Sequence, residues 1–212
     1  MALNLSKSTG INLTKGSSIS LIKEGKKLDE VTIGLNWGAI KKTGLFSVFS
    51  SGPEMVDLDG SVAVFEGKVL LDIIYYSKLL SKDGAVKHSG DDRAGDTGPE
   101  DDVDNETIHI NLNRVNSRAT SIFIFLNSYK KQDFQTIPYT KIRIYEGNPR
   151  FIKSVFATFN LTSDPAFHGK VSMIMGKLSK DNEEWKFDTI GEPIRATNID
   201  ETIEEIIQKF LG

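Results

Sequence analysis

Asp57 and Asp59 stand two residues apart in DLDG, at the entry to the apolar run Val62–Phe65. In extended backbone, residues i and i+2 project to the same side, so these two carboxylates can converge on one ion. A second concentration of oxygen donors runs from Ser89 to Glu106, SGDDRAGDTGPEDDVDNE. There Asp91, Asp92, Asp96, Glu100, Asp101, Asp102, Asp104 and Glu106 face the single cation Arg93, which leaves seven net negative charges in a chain whose total is −3. Like charges about 4 Å apart repel by roughly 4 kcal/mol at an effective dielectric near 20, so such a stretch either stays extended in water or closes around a cation. Hard oxygen ligands suit calcium first and magnesium second, and Gly90, Gly95 and Gly98 permit the turns that aim carboxylates and carbonyls inward. No EF-hand pattern can be drawn through the loop, so a calcium site here is of another kind.

Other chemistries find little support. The chain has no cysteine, which excludes disulfides, thiolate zinc sites, iron–sulfur clusters and thiol nucleophiles. His88, His109 and His168 have no mutual ligand spacing and read as surface residues. His88-Ser89 close to Asp91 does not make a hydrolase triad without a G-x-S-x-G elbow, and neither a Walker A loop nor a G-x-G-x-x-G after a strand is present. A pI near 5.7 with no basic tract argues against nucleic acid. The opening MALNLSKSTG lacks the apolar core of a signal peptide, and no run approaches the roughly 20 apolar residues of a membrane helix, which points to the cytoplasm.

The elements that must position the acids read as strands. Ser18–Lys23, Val31–Trp37, Val62–Phe65 and Val69–Tyr76 are short apolar runs separated by turn residues. Gly34, Asn36 and Gly38 suggest a bulge or a close backbone approach near Trp37, itself read with Trp185 as a core or edge aromatic. Lys41–Glu54 reads as a loop with one short strand. Asp72 sits inside an apolar strand, and a buried carboxylate needs partners. From Ser77 to Thr107 the chain shows no apolar periodicity, which marks a loop of functional or disordered type. Ile108, Ile110 and Leu112 then alternate with His109 and Asn111, and Ser121–Leu126 is apolar on both faces, as in a central strand. Strands at Lys141–Glu146, Val155–Asn160, Lys170–Met175 and Glu184–Ile190 follow, and Ile203, Ile206, Ile207 and Phe210 at helical spacing after an Asp200 cap end the chain in one short helix. This is an all-β, antiparallel sandwich or barrel, a single domain over residues 1–212.

LNLSKSTGINLTKG, VTIGLNW, DLDGSVAVFEGKV, YYSKLLSKDGAVKHSGDDRAGD and DNETIHINL, in this order and spanning nearly the whole chain, resemble the TerD family of tellurium-resistance and chemical-stress proteins. The resemblance implies a β-sandwich that binds Ca2+ through acidic loops at one end. It also implies no catalysis, and work beside other tellurium-resistance proteins near the inner face of the membrane. Matched residue by residue, it assigns metal contacts to Asp57 and Asp59, to Asp72, to Gly90, Asp91 and Asp92, and to Asp104, Asn105 and Glu106. Met55 stands where family members often carry a further Asp, and the insertion Pro99–Val103 leaves the role of Asp101 and Asp102 open.

Two rival readings keep the acids but change their use. A magnesium-dependent phosphoester hydrolase would clamp two metals about 3.5–4 Å apart, although the sequence shows nothing basic beside the cluster to hold a phosphate. A metal-free interaction module would dock a basic partner on the acidic loop. The calcium reading carries one further expectation: metal orders the long loop by linking it to Asp57 and Asp59, and without metal the loop is mobile.

Overall fold

A computed structural model of the chain describes residues 11–23, 25–40, 52–98, 103–148, 151–161, 165–181 and 184–212. In chain order its strands are β1 (Ile11–Asn12), β2 (Ser18–Ser20), β3 (Ile22–Lys23), β4 (Lys26–Lys27), β5 (Glu30–Trp37), β6 (Leu58–Glu66), β7 (Val69–Ile74), β8 (Val86–His88), β9 (Glu106–Asn111), β10 (Ser121–Ser128), β11 (Thr140–Asn148), β12 (Phe151–Leu161), β13 (Ser172–Asp181) and β14 (Glu184–Ile194), and they are followed by the helix α1 (Ile199–Phe210). Among the described residues the strands form two six-stranded sheets, β1-β12-β11-β5-β9-β8 and β2-β14-β13-β10-β6-β7, with a small β3-β4 hairpin. All pairings are antiparallel except that of β1 with β12.

The side-chain pattern of β10 shows how the layers arise. Ile122, Ile124 and Leu126 lie in the main core with Val31, Ile33 and Leu35 of β5, Ile108 and Ile110 of β9, and Val62 and Val64 of β6. The alternate residues Phe123 and Phe125 face the other way, into a second core with Phe65, Ile174, Ile203 and Ile206. A strand apolar on both faces is therefore central, with a sheet on one side and a helix on the other. The helix closes this outer face with Ile203 and Ile206, so it is a packing element. Its cap is Asn198, whose side chain accepts the Glu201 N–H, and not Asp200, which lies in the first turn where a carboxylate favours the helix dipole.

Several strand boundaries shift. The run Ser18–Lys23 is broken at Leu21 into β2 and β3, which belong to different sheets. The strand expected at Val62–Phe65 already begins at Leu58, so Asp59 and Gly60 lie within it. β5 pairs on both sides without a register shift, so Gly34 within it and Gly38 just after it mark close approach and not a bulge. A Cβ on Gly34 would collide with the Asp104 carboxylate, and one on Gly38 with the Tyr139 ring. Residues 77–107 hold more structure than their lack of periodicity suggested. β8 pairs with β9, Val56 N–H reaches the Ala94 carbonyl at 3.0 Å, and Asp96 N–H reaches that of Trp37 at 2.9 Å. Most of the segment expected to carry a short strand in Lys41–Glu54 lies outside the described residues, as do Asp101 and Asp102.

Candidate metal centre

β6 begins and β10 ends at the same end of the sandwich, with Asp59 opposite Asn127 and Leu58 opposite Ser128. β8 and the start of β9 bring the 89–95 segment to that end, through Ser89 N–H donating to the Thr107 carbonyl at 2.9 Å. The result is one group of three carboxylates, Asp57, Asp59 and Asp91, each offering an oxygen within 4.8 Å of the others. Asp57 and Asp59 are both 5% exposed, whereas Asp91 is exposed at the rim. Period-two geometry aligns Asp57 with Asp59, and Gly90, at φ +120°, makes the turn that swings Asp91 in to meet them.

The electrostatics of the group are unfavourable without a cation. Burial, and then the charges of Glu106, Asp57 and Asp91, push the Asp59 carboxyl up to about 7. Burial also raises Asp57 against the pull of Lys130. Two cations stand close: the Lys130 ammonium lies 3.6 Å from Asp57, and Arg93 Nε donates to Asp91 at 2.8 Å. The sequence expectation that nothing basic stands beside the cluster is thus corrected. Lys130 comes from the β10–β11 connection, and no local pattern points to it.

Behind the three acids lies a second layer. Glu106 is fully buried, its Oε2 accepting the Gly60 N–H at 2.8 Å and its Oε1 the Asp92 N–H at 3.2 Å, so one carboxylate joins β6 to the acidic loop. Burial raises its pKa even though His88 pulls the other way. His88, expected at the surface, is 2% exposed. The Gly90 N–H donates to His88 Nδ1 at 3.0 Å, which leaves the ring proton on Nε2, 3.0 Å from the Gly60 carbonyl and 3.4 Å from Glu106. Gly60 has to be glycine here: a Cβ would lie 2.8 Å from the Glu106 carboxylate and collide with Leu35.

The remaining residues assigned to metal do not join the cluster. Asp72 lies on β7 with its carboxylate held by the Lys78 ammonium and by the Lys82 N–H at 2.8 Å; it has the partners a buried acid needs, but they are not a metal. Asp92 Oδ1 caps the turn after it, accepting the Ala94 and Gly95 N–H groups at 2.9 and 3.0 Å. Asp104 is on the outer face of β5 and β11, where Arg143 contacts it at 2.8 Å and the Tyr145 hydroxyl at 3.3 Å. Asn105 accepts the Trp37 N–H at 2.8 Å and donates to Asp96 at 3.1 Å. Asp96, given no metal role, accepts from the Tyr139 hydroxyl at 2.6 Å and from Asn36 at 3.0 Å. Sequence reasoning missed His88, Lys130 and Arg143, each of which acts through partners distant in the chain.

With this geometry in view, comparison with known proteins places the chain. The family model described as the TerD domain matches residues 9–210. The chain belongs to the TerD family. It is 30% identical over 203 residues to the tellurium resistance protein TerZ of Serratia marcescens, covering 95% of this chain and 99% of that protein. It is 32% identical over 210 residues to the stress response protein SCP2 of Bacillus subtilis (strain 168), again covering 95% and 99%. The fold is shared with a crystal structure of a homologue of telluride resistance protein (TerD) from Streptomyces coelicolor A3(2), at a TM-score of 0.59 and 14% identity over 80% of this chain and 92% of that one. These two relatives are thus named for resistance and stress response, and the mostly antiparallel β fold is shared with the solved homologue.

Proposed function

We propose that this TerD-family chain, one sandwich unit over residues 1–212, is a calcium-binding component of a cellular stress response of the tellurium-resistance type, without catalytic activity of its own. The observation that carries the calcium reading is the convergence of Asp57, Asp59 and Asp91 within 4.8 Å at one end of the sandwich. The donor set fits the ion. Calcium takes about six to eight oxygen ligands, and three carboxylates supply up to six oxygens of the hard type it selects, with water completing the shell. The raised pKa of Asp59 marks a place where a divalent cation would relieve repulsion between acids.

Other tellurium-resistance proteins are the proposed partners, met in the cytoplasm or at the inner face of the membrane. No helix among the described residues is long and apolar enough to cross a membrane. Lys130 and Arg93 give a phosphoester hydrolase the cations that the sequence withheld, yet both are already engaged with Asp57 and Asp91, and a single three-carboxylate group among the described residues offers no second metal.

Calorimetric titration with calcium, with magnesium as competitor, tests this reading. The expected result is saturable calcium binding that magnesium displaces poorly, and a fold stabilised by roughly 2.7 kcal/mol at free calcium about 100 times the dissociation constant. Absence of binding at millimolar calcium would remove calcium from the function and leave the interaction-module reading.

A further inference from the structure

One buried polar group beside the carboxylates is left incomplete by the fold. β10 lies between β13 and β6 in its sheet, and Asn127 near its end stands opposite Ser172 of β13 on one side and Asp59 of β6 on the other. Alternation along β10 puts Asn127 on the face of Phe123 and Phe125, and alternation along β6 puts Asp59 on the face of Ala63 and Phe65, which is the face that α1 covers. Asn127 is 6% exposed and is bonded to Thr202, near the start of α1.

The hydrogen bonds around this amide fix which way it points. The Thr202 hydroxyl donates its single proton to the Asn198 carbonyl at 2.9 Å, so toward Asn127 its oxygen can only accept. The 2.9 Å contact between the two side chains therefore has the Asn127 nitrogen as donor, and the same nitrogen also donates to Ser172 Oγ at 2.6 Å. With the nitrogen held toward β13 and the helix, the amide oxygen is turned the other way, toward β6. Directly opposed residues on adjacent strands have their Cβ atoms about 4.5–5.5 Å apart, and on β6 that residue is Asp59. Oδ1 of Asn127 has no hydrogen-bond partner among the described residues. A buried amide oxygen turned toward a carboxylate sets two acceptors side by side with no donor between them, and a cation placed there satisfies both.

We propose that the Asn127 side-chain oxygen is a further ligand to the cation held by Asp57, Asp59 and Asp91, aimed at it by the bonds of the amide nitrogen to Ser172 and Thr202. This rests on the calcium reading and deepens it, since the amide takes a place in the shell otherwise left to water. Amide carbonyls are among the oxygen ligands that calcium accepts. A neutral one raises the coordination number without adding a fourth negative charge to three carboxylates that already repel one another. The contact also joins the metal to the helix, because the amide that reaches the ion from one end is held by α1 at the other.

The test is a crystal structure of the full chain grown with calcium, together with calorimetric calcium titrations of the intact chain and of Asn127→Leu, which fills the same space without the oxygen. The crystal is expected to place Oδ1 of Asn127 about 2.3–2.6 Å from the ion, the range of calcium–oxygen bonds. Asn127→Leu is expected to weaken calcium by about tenfold, the size of losing one polar contact to a charged group. The calcium-free thermal midpoint of the variant shows whether it folds, and the distance in the intact chain decides the matter if it does not. An ion on the carboxylates that Oδ1 reaches only through a water, or full calcium affinity in the folded variant, would overturn the role of Asn127 and leave the calcium reading standing. No calcium binding by the intact chain would overturn both.

Discussion

Divided after Gly95, the acidic loop falls into two parts that both carry carboxylates and meet opposite fates. In the first part, Asp91 is swung toward Asp57 and Asp59, and three carboxylates face one another. In the second, Asp96 is matched to Tyr139, Asn36 and Asn105, and Asp104 to Arg143 and Tyr145. What separates an acid available to a metal from an acid that builds the fold is the set of donors already pointing at it. The second part works as a clasp on the outer face of β5, and the first is a site whose repulsion is relieved only in part, by Lys130 and Arg93.

The largest expected effect that sharpens this contrast is on the clasp. Asp104→Ala leaves Arg143, whose side chain is 8% exposed, without its carboxylate. Breaking a buried pair by removing one partner costs about 3–5 kcal/mol, to be read from the urea midpoint, while calcium affinity of the folded fraction should hold. If stability is unchanged and calcium binding is lost, Asp104 belongs to the metal site and the contrast fails. Next in size is Asp57→Asn with Asp59→Asn, expected to weaken calcium by about 100-fold in calorimetry, because site affinity follows the number of placed charges. The same pair should not lower stability in the absence of calcium, since it removes two mutually repelling acids. The smallest effect is expected from Asp101→Asn with Asp102→Asn, which should change calcium affinity by about twofold or less, through charge screened over roughly 8–10 Å. Losses from this pair equal to those at Asp57 and Asp59 would show that total charge governs binding, and not placed ligands.

Those elements whose period is local were legible in the chain. The alternation of Ile108 and Ile110 gave β9, the two-sided run Ser121–Leu126 gave the central strand, and the helical spacing of Ile203 and Ile206 gave α1 with its buried face. Asp57 and Asp59 were legible too, because the device that aligns them is two residues long. The surroundings of Asp72, Asp104 and His88 were not legible, for the converse reason. Whether a carboxylate meets a metal or an ammonium depends on Lys78 and Arg143, and whether His88 is buried depends on Gly60 across the sandwich, and no short-range pattern encodes these. β8 is three residues long, too short to show a period, which is why residues 77–107 read as featureless.

The order of strands also governs how copies of the chain meet one another. Three of the four edges of the two six-stranded sheets are β1, β2 and β8, of two or three residues each, which present too few backbone groups to template another strand. The fourth, β7, is six residues long and exposes Val69 and Leu70, the profile of an aggregation seed. It is also where Asp72 sits, mid-strand, with Lys78 folded back against it and Tyr75 bridged to Lys78. A strand arriving at that edge from another molecule would have to strip water and partners from a charged pair at its centre. The Asp72 carboxylate with Lys78 thus acts as a gatekeeper that keeps an otherwise adhesive rim from recruiting further copies of the chain.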